Sequence, residues 1–114
     1  MNTKRYCLAL DLVDDAKSIE KYKWHHAAEN QWPEINASIR KAGVEEMDIY
    51  LFGNRLFMIM EVNETFSFER MEEINKNPKS VEWEDLMWGF QQPVPGAKPG
   101  EKWVLMEQIY QLPK

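Results

Sequence analysis

Along residues 5–13, RYCLALDLV, apolar and other positions alternate: Tyr6, Leu8, Leu10 and Leu12 fall on one face, Cys7, Ala9, Asp11 and Val13 on the other. That period predicts a first strand. Beyond it Ile19, Tyr22 and His26 recur at i, i+3 and i+7, one side of a helix running to about Glu29, while Lys17, Lys21 and Lys23 lie mostly elsewhere. Asp14 or Asp15 can cap its start, because a short carboxylate accepts from the unpaired N–H groups of the first turn and suits the helix dipole. Gln31-Trp32-Pro33 interrupts the pattern. A second helix restarts with Pro33 in its first turn, carries the stripe Ile35, Ile39 and Ala42, and stops at Gly43.

Residues 44–52 and 55–62 flank Gly53-Asn54, a two-residue connection that supplies positive φ and closes a β-hairpin. The second of these runs, RLFMIMEV, is apolar on both faces up to Glu61, and the last apolar run, from about 102 to 112, is nearly so. Both faces of the sheet therefore need cover. With helical segments near 66–76 and 79–91 the order is β, α, β, β, α, β, each α split in two. This predicts a single α+β domain over 1–114 with a ferredoxin-like sheet. Helices on one side leave the other sheet face bare, which predicts a homodimer packed sheet to sheet. The segment QPVPGAKPGEK holds Pro93, Pro95, Pro99, Gly96 and Gly100 and reads as a stiff irregular connection able to border a pocket.

Charge and composition narrow the partners. The chain has 14 basic against 19 acidic residues, a formal charge of -5, and no Lys/Arg cluster beyond pairs, which argues against nucleic acid. The N-terminal apolar stretch is too short and too interrupted for a signal peptide or a membrane span. One cysteine, Cys7, cannot form an internal disulfide, so a reducing, cytoplasmic setting is expected. Five tryptophans and seven methionines are a large apolar load for 114 residues, and they need a core or a pocket to occupy.

The chemistry centres on the first helix. Imidazole is the side chain that both gives and takes protons near neutral pH, and an inward-facing one needs a partner to offset desolvation. On these residues alone His26 is either a satisfied core histidine or a proton-transfer group, with Tyr22 one turn before it and Glu29 three residues after it. His25 points roughly 100° away and is expected to be solvated. His25 and Glu29 have ligand spacing but lack a third ligand, so no metal is expected. The absence of a Gly-rich phosphate loop puts nucleotide cofactors aside. Trp83 and Trp88 either fill core or stack on the C–H face of a sugar, with Glu82, Asp85 and Tyr22 as rim groups for its hydroxyls.

Tyr22, His26 and Trp32-Pro33-Glu34, followed by Ile49 to Leu51 and a C-terminal Tyr110 to Pro113, together resemble the L-rhamnose mutarotase family over nearly the whole chain. The resemblance implies a dimeric α+β barrel that interconverts the anomers of a 6-deoxy-L-hexose without a cofactor. It also implies His26 as the catalytic acid and Tyr22 and Trp83 as substrate-binding residues. Two positions depart from the family pattern: Met47 stands where a substrate-contacting tyrosine is expected, and Glu82 where the first tryptophan of a pair is expected. Both count as candidate substrate-binding positions, and they leave L-fucose as open as L-rhamnose. The gap between His26 and Trp32 is also two residues longer than the rhamnose enzymes imply. Two other classes share such a fold, a dimeric α+β-barrel monooxygenase and a non-catalytic sugar-binding module.

Overall fold

A computed structural model describes residues 3–114; residues 1 and 2, the start of the expected 1–114 domain, lie outside the described residues. The elements run β1 (Lys4–Leu12), α1 (Ala16–His26), α2 (Pro33–Lys41), β2 (Val44–Phe52), β3 (Arg55–Val62), α3 (Phe68–Ile74), α4 (Pro78–Trp88), β4 (Gln91–Gln92) and β5 (Val104–Leu105). The sheet is antiparallel in the order β2-β3-β1-β4, with β5 also on β1. It curls into a half-barrel of the expected ferredoxin-like α+β type. Among the described residues no helix is long and apolar enough to cross a membrane.

Alternation sorts the sheet as its pattern predicts. Leu8, Leu10 and Leu12 of β1 and Leu56, Met58, Met60 and Val62 of β3 are buried, and most pack into two clusters beneath the helices. In β2 the pairing shifts between Val44 and Glu46, so one extra residue is accommodated there. The shift keeps Val44 opposite Val62 and Met47 opposite Met60, so both face the helix side although they are three apart.

Helix ends follow local chemistry. Asp15, one of the two candidate caps, accepts from the Ser18 N–H at 2.9 Å. Helix α1 stops at His26 instead of Glu29, because Ala27 turns to an extended conformation and residues 28–30 form a single 3-10 turn. Side chains bind carbonyls at that end: Asn30 Nδ2 donates to the Trp24 oxygen at 2.8 Å, beside the Ala27 N–H at 3.3 Å, and Gln31 Nε2 donates to the His26 oxygen at 3.0 Å.

The long final strand expected over 102–112 is not formed. Two short strands share one edge of β1 instead, Gln91–Gln92 opposite Leu12 and Asp11, and Val104–Leu105 opposite Ala9 and Leu8. Pro93, Pro95 and Pro99 between them lack the N–H that a ladder requires, so the edge is paired only on either side of the loop. After Met106 N donates to the Cys7 oxygen at 2.8 Å the chain leaves the sheet, and Ile109, Tyr110 and Leu112 are exposed.

Candidate active site

Between the inner face of the half-barrel and the helices lies an open cavity of about 1080 Å³. Helix α1 contributes Tyr22, His25 and His26 to its wall, and α4 contributes Ser80, Trp83, Glu84 and Met87, spaced as one helix face. Met47 and Ile49 line it from β2, Gln91 from β4, and Lys102 and Trp103 from the proline-rich loop.

His26 sits half-buried at the end of α1. Its Nδ1 lies 2.8 Å from the backbone oxygen of Tyr22, where it can only donate, which leaves Nε2 as the proton-exchanging nitrogen. Burial pushes its pKa below the ordinary histidine value; the hydrogen bond to Tyr22 opposes that shift and the neighbouring His25 adds to it. The ring rests 4.4 Å from the Tyr22 ring and 5.5 Å from Trp83, centroid to centroid. Trp83 is in turn 5.0 Å from Trp32, over which Lys79 is placed.

Tyr22 is buried, and its hydroxyl oxygen accepts from Gln91 Nε2 at 3.3 Å. Burial pushes its pKa up to about 12; the Gln91 N–H pulls the other way, and the Glu84 carboxylate reinforces the rise. At neutral pH this phenol is therefore a hydrogen-bond donor that keeps its proton.

Of the expected site residues, Tyr22, His26, Trp83 and Met47 all reach the cavity wall. Glu82 does not. It is exposed and paired with Lys79 at 3.5 Å, because the α4 face that meets the cavity passes through positions 80, 83, 84 and 87. Glu84 is the carboxylate on that wall, 3.6 Å from Lys102. Glu29, in the 3-10 turn, and Asp85 are exposed and off the cavity, and Trp88 lies outside it with Lys102 over its ring. His25 is not fully solvated as expected: the residue is half-buried, and its Nε2, among the rings of Trp24, Trp83 and Phe90, is buried without a hydrogen-bond partner among the described residues. The sequence pattern marks neither Gln91 nor Trp103 as a site residue: it puts Gln91 at the end of a helix over 79–91 and Trp103 in a long final strand, whereas α4 stops at Trp88 and that strand does not form.

An imidazole with one free nitrogen, a protonated phenol and three indoles, those of Trp32, Trp83 and Trp103, line an open cavity in a ferredoxin-like half-barrel, which makes this an α+β protein with a site of small-molecule size. The family model for L-rhamnose mutarotase matches residues 5–112. The L-fucose mutarotase of Xanthomonas campestris pv. campestris is 41% identical over 98% of this chain and 90% of its own length. The chain thus belongs to the L-rhamnose mutarotase family, isomerases that act on the anomeric carbon. Two solved structures share the fold. The L-rhamnose mutarotase of Formosa agariphila has a TM-score of 0.69 at 21% identity, covering 96% of this chain and 99% of that one. The tetracenomycin F2 cyclase of Streptomyces glaucescens has a TM-score of 0.67 at 17% identity, covering 97% and 98%.

Proposed function

We propose that the protein interconverts the α and β anomers of a 6-deoxy-L-hexose, with L-fucose preferred over L-rhamnose, and that His26 Nε2 carries the proton. The observation behind this reading is the fixed tautomer of His26 inside a cavity walled by Trp83 and Tyr22. Ring opening of a pyranose moves one proton from the anomeric hydroxyl to the ring oxygen, and both oxygens are bonded to the same carbon. Neutral Nε2 accepts the hydroxyl proton; the bond from the anomeric carbon to the ring oxygen breaks with its electron pair on that oxygen, and Nε2 returns the proton there. The aldehyde turns, the ring closes on its other face, and the two transfers reverse. His26 is thus the acid toward the ring oxygen, with a proton it first takes as a base. A positioned proton-transfer group of this kind contributes roughly 10²- to 10⁴-fold.

Trp83 holds the C–H face of the sugar, Tyr22 donates to one of its oxygens, and Met47 gives an apolar wall. L-fucose is favoured because the 41%-identical relative is an L-fucose mutarotase and because Met47, on the cavity wall, replaces the tyrosine that the rhamnose enzymes imply. The monooxygenase alternative rests on the shared fold alone, and fold does not choose a reaction. A non-catalytic sugar-binding module is a second alternative, and it leaves the free Nε2 without a task.

The working unit we propose is a homodimer. On the outer sheet face Cys7 and Ala9 pair with Ile59 and Phe57, an apolar strip bounded by the Arg5–Glu61 and Arg55–Asp11 ion pairs, with Tyr50 and Phe52 exposed beside it. A second copy of the same face matches that strip, and the apolar tail from Met106 onward leaves from the same sheet. A reducing, cytoplasmic setting suits the free thiol of Cys7.

Saturation-difference NMR on L-fucose and L-rhamnose, with wild type and His26→Ala side by side, tests the reading. Accelerated exchange, stronger on L-fucose and lost in the variant, is expected. Exchange in His26→Ala within threefold of wild type would sink the role of His26, and binding without exchange would favour the non-catalytic module.

A further inference from the structure

The Tyr22 hydroxyl has one hydrogen-bond neighbour among the described residues, and it is a residue with no assigned role. Gln91 is paired with Leu12, whose side chain is fully buried on the helix side of the sheet, so the Gln91 side chain emerges on that side and joins the cavity wall. There Nε2 donates to the Tyr22 oxygen at 3.3 Å. Gln91 is only 8% exposed, and its Oε1 has no partner among the described residues.

Direction matters in this contact. A phenol oxygen that accepts from Gln91 keeps its own proton for another acceptor, and no protein group among the described residues takes it. Beside it is a buried amide oxygen with unused lone pairs. Buried polar groups are ordinarily paired, and one left open in a cavity wall is filled when a ligand brings the complement. A free donor and a free acceptor on neighbouring side chains match two adjacent hydroxyls, one accepting and one donating. The terminal amide torsion is soft, so Oε1 can turn to a ligand without disturbing the strand.

We propose that Gln91 is a substrate-reading residue: it directs the Tyr22 proton toward the sugar and supplies its own carbonyl oxygen as the adjacent acceptor, so that the pair selects the orientation of two neighbouring hydroxyls. This rests on the reading of Tyr22 as a sugar contact. It bears on specificity because L-fucose and L-rhamnose differ in the orientation of ring hydroxyls, and a site built for one arrangement leaves its polar groups unpaired with the other.

The test is anomer exchange on both sugars with Tyr22→Phe, Gln91→Glu, Gln91→Met and the double variant Tyr22→Phe/Gln91→Glu, each checked for folding by its melting transition. A carboxylate at position 91 accepts the Tyr22 proton and reverses the bond. Gln91→Glu is therefore expected to lose about tenfold in kcat/KM, near that of Tyr22→Phe, and the double variant to fall no further than Tyr22→Phe, since the proton is already gone. Gln91→Met, which leaves the Tyr22 proton in place, is expected to raise KM and to narrow the preference between the two sugars. A merely structural role would not move that preference. Wild-type activity in Gln91→Glu would show that Tyr22 already donates to residue 91, and additive losses in the double variant would show independent roles; either overturns the proposal. So does an unchanged sugar preference in Gln91→Met, which decides the matter even if Gln91→Glu fails to fold. Wild-type exchange in Tyr22→Phe would instead remove the sugar contact itself, and Gln91's role with it.

Discussion

The Nδ1 of His26 lies 2.8 Å from the backbone oxygen of Tyr22, four residues earlier on the same helix. The helix thus orients the ring that its own sequence supplies. A carbonyl oxygen can only accept, so the neutral ring carries its proton on Nδ1 and presents Nε2 as a base. The same residue whose side chain lines the cavity therefore fixes, through its backbone, the tautomer of His26.

The pH dependence follows from that tautomer. Burial lowers the His26 pKa below 6.5, so the ring is neutral and competent at pH 7. We expect kcat/KM to be flat above neutrality and to fall as pH drops through the lowered value, where the protonated ring can no longer accept. Stability runs the same way. A histidine with a depressed folded pKa binds its proton more tightly when unfolded, so its contribution is fully present above 6.5 and is lost as pH falls from there to the folded value. His26→Asn should flatten both profiles and cost roughly 10²-fold or more in turnover. An activity maximum below pH 6 in wild type would contradict this assignment.

The two carboxylates of α4 separate by position. Glu84 lines the cavity near Tyr22 and pairs with Lys102, whereas Glu82 is exposed beside Lys79. Glu82→Gln should change exchange by less than about twofold, since an exposed pair contributes little. Glu84→Gln should lower kcat/KM by about fivefold or more, through the looser loop around Lys102 and the altered field at Tyr22. Equal effects of the two substitutions would argue that neither touches the site.

What could be read beforehand tracks regularity. The β2–β3 hairpin appears at its expected bounds because Gly53-Asn54 and two alternating runs specify it locally, and Ile19, Tyr22 and His26 share a face because helical spacing requires it. Glu82 is a candidate both as a rim group beside Trp83 and by motif correspondence, but the α4 face on the cavity runs through positions 80, 83, 84 and 87 and leaves it outside. At the end of the chain Val104 to Leu112 has strand-like composition, but strand formation needs pairing, and the chain leaves β1 after Met106 although β1 itself continues back to Lys4. Gln91 falls at the end of the helix that the pattern predicts over 79–91, whereas α4 stops at Trp88 and the chain turns at Gly89 to pair with β1, a tertiary contact that no local period encodes.

Gly43 is a local dependence of the fold. It ends α2 at a φ of 102°, and a Cβ there would meet Asn63 Oδ1 and Thr65 Oγ1 at 2.8 Å and the Phe66 backbone nitrogen at 2.9 Å. The Asn63 N–H also donates to its oxygen at 2.8 Å, tying the end of β3 to the start of β2. Gly43→Ala therefore meets both an unfavourable backbone conformation and rigid neighbours, and should destabilise by more than about 1 kcal/mol. Chemical denaturation measures this; a melting point within 1 °C of wild type would show that the turn relaxes freely.

The outer sheet face gives the last prediction. Ile59 sits opposite Cys7 on β1 and Asp48 on β2, at the middle of the apolar strip and on the face away from the cavity. A glutamate there keeps the strand pairing but places a charge where two copies would meet, and burying it unpaired is unfavourable. Ile59→Glu should turn a dimer into a monomer at micromolar concentration, as read by light scattering. Because Ile59 is remote from His26 and Tyr22, its effect on exchange separates two possibilities: retained activity means that each protomer holds a complete site, while loss in a folded monomer means that the half-barrel needs its partner to shape the cavity. A wild-type protein that is already monomeric at that concentration would remove the dimer and leave the strip to another ligand.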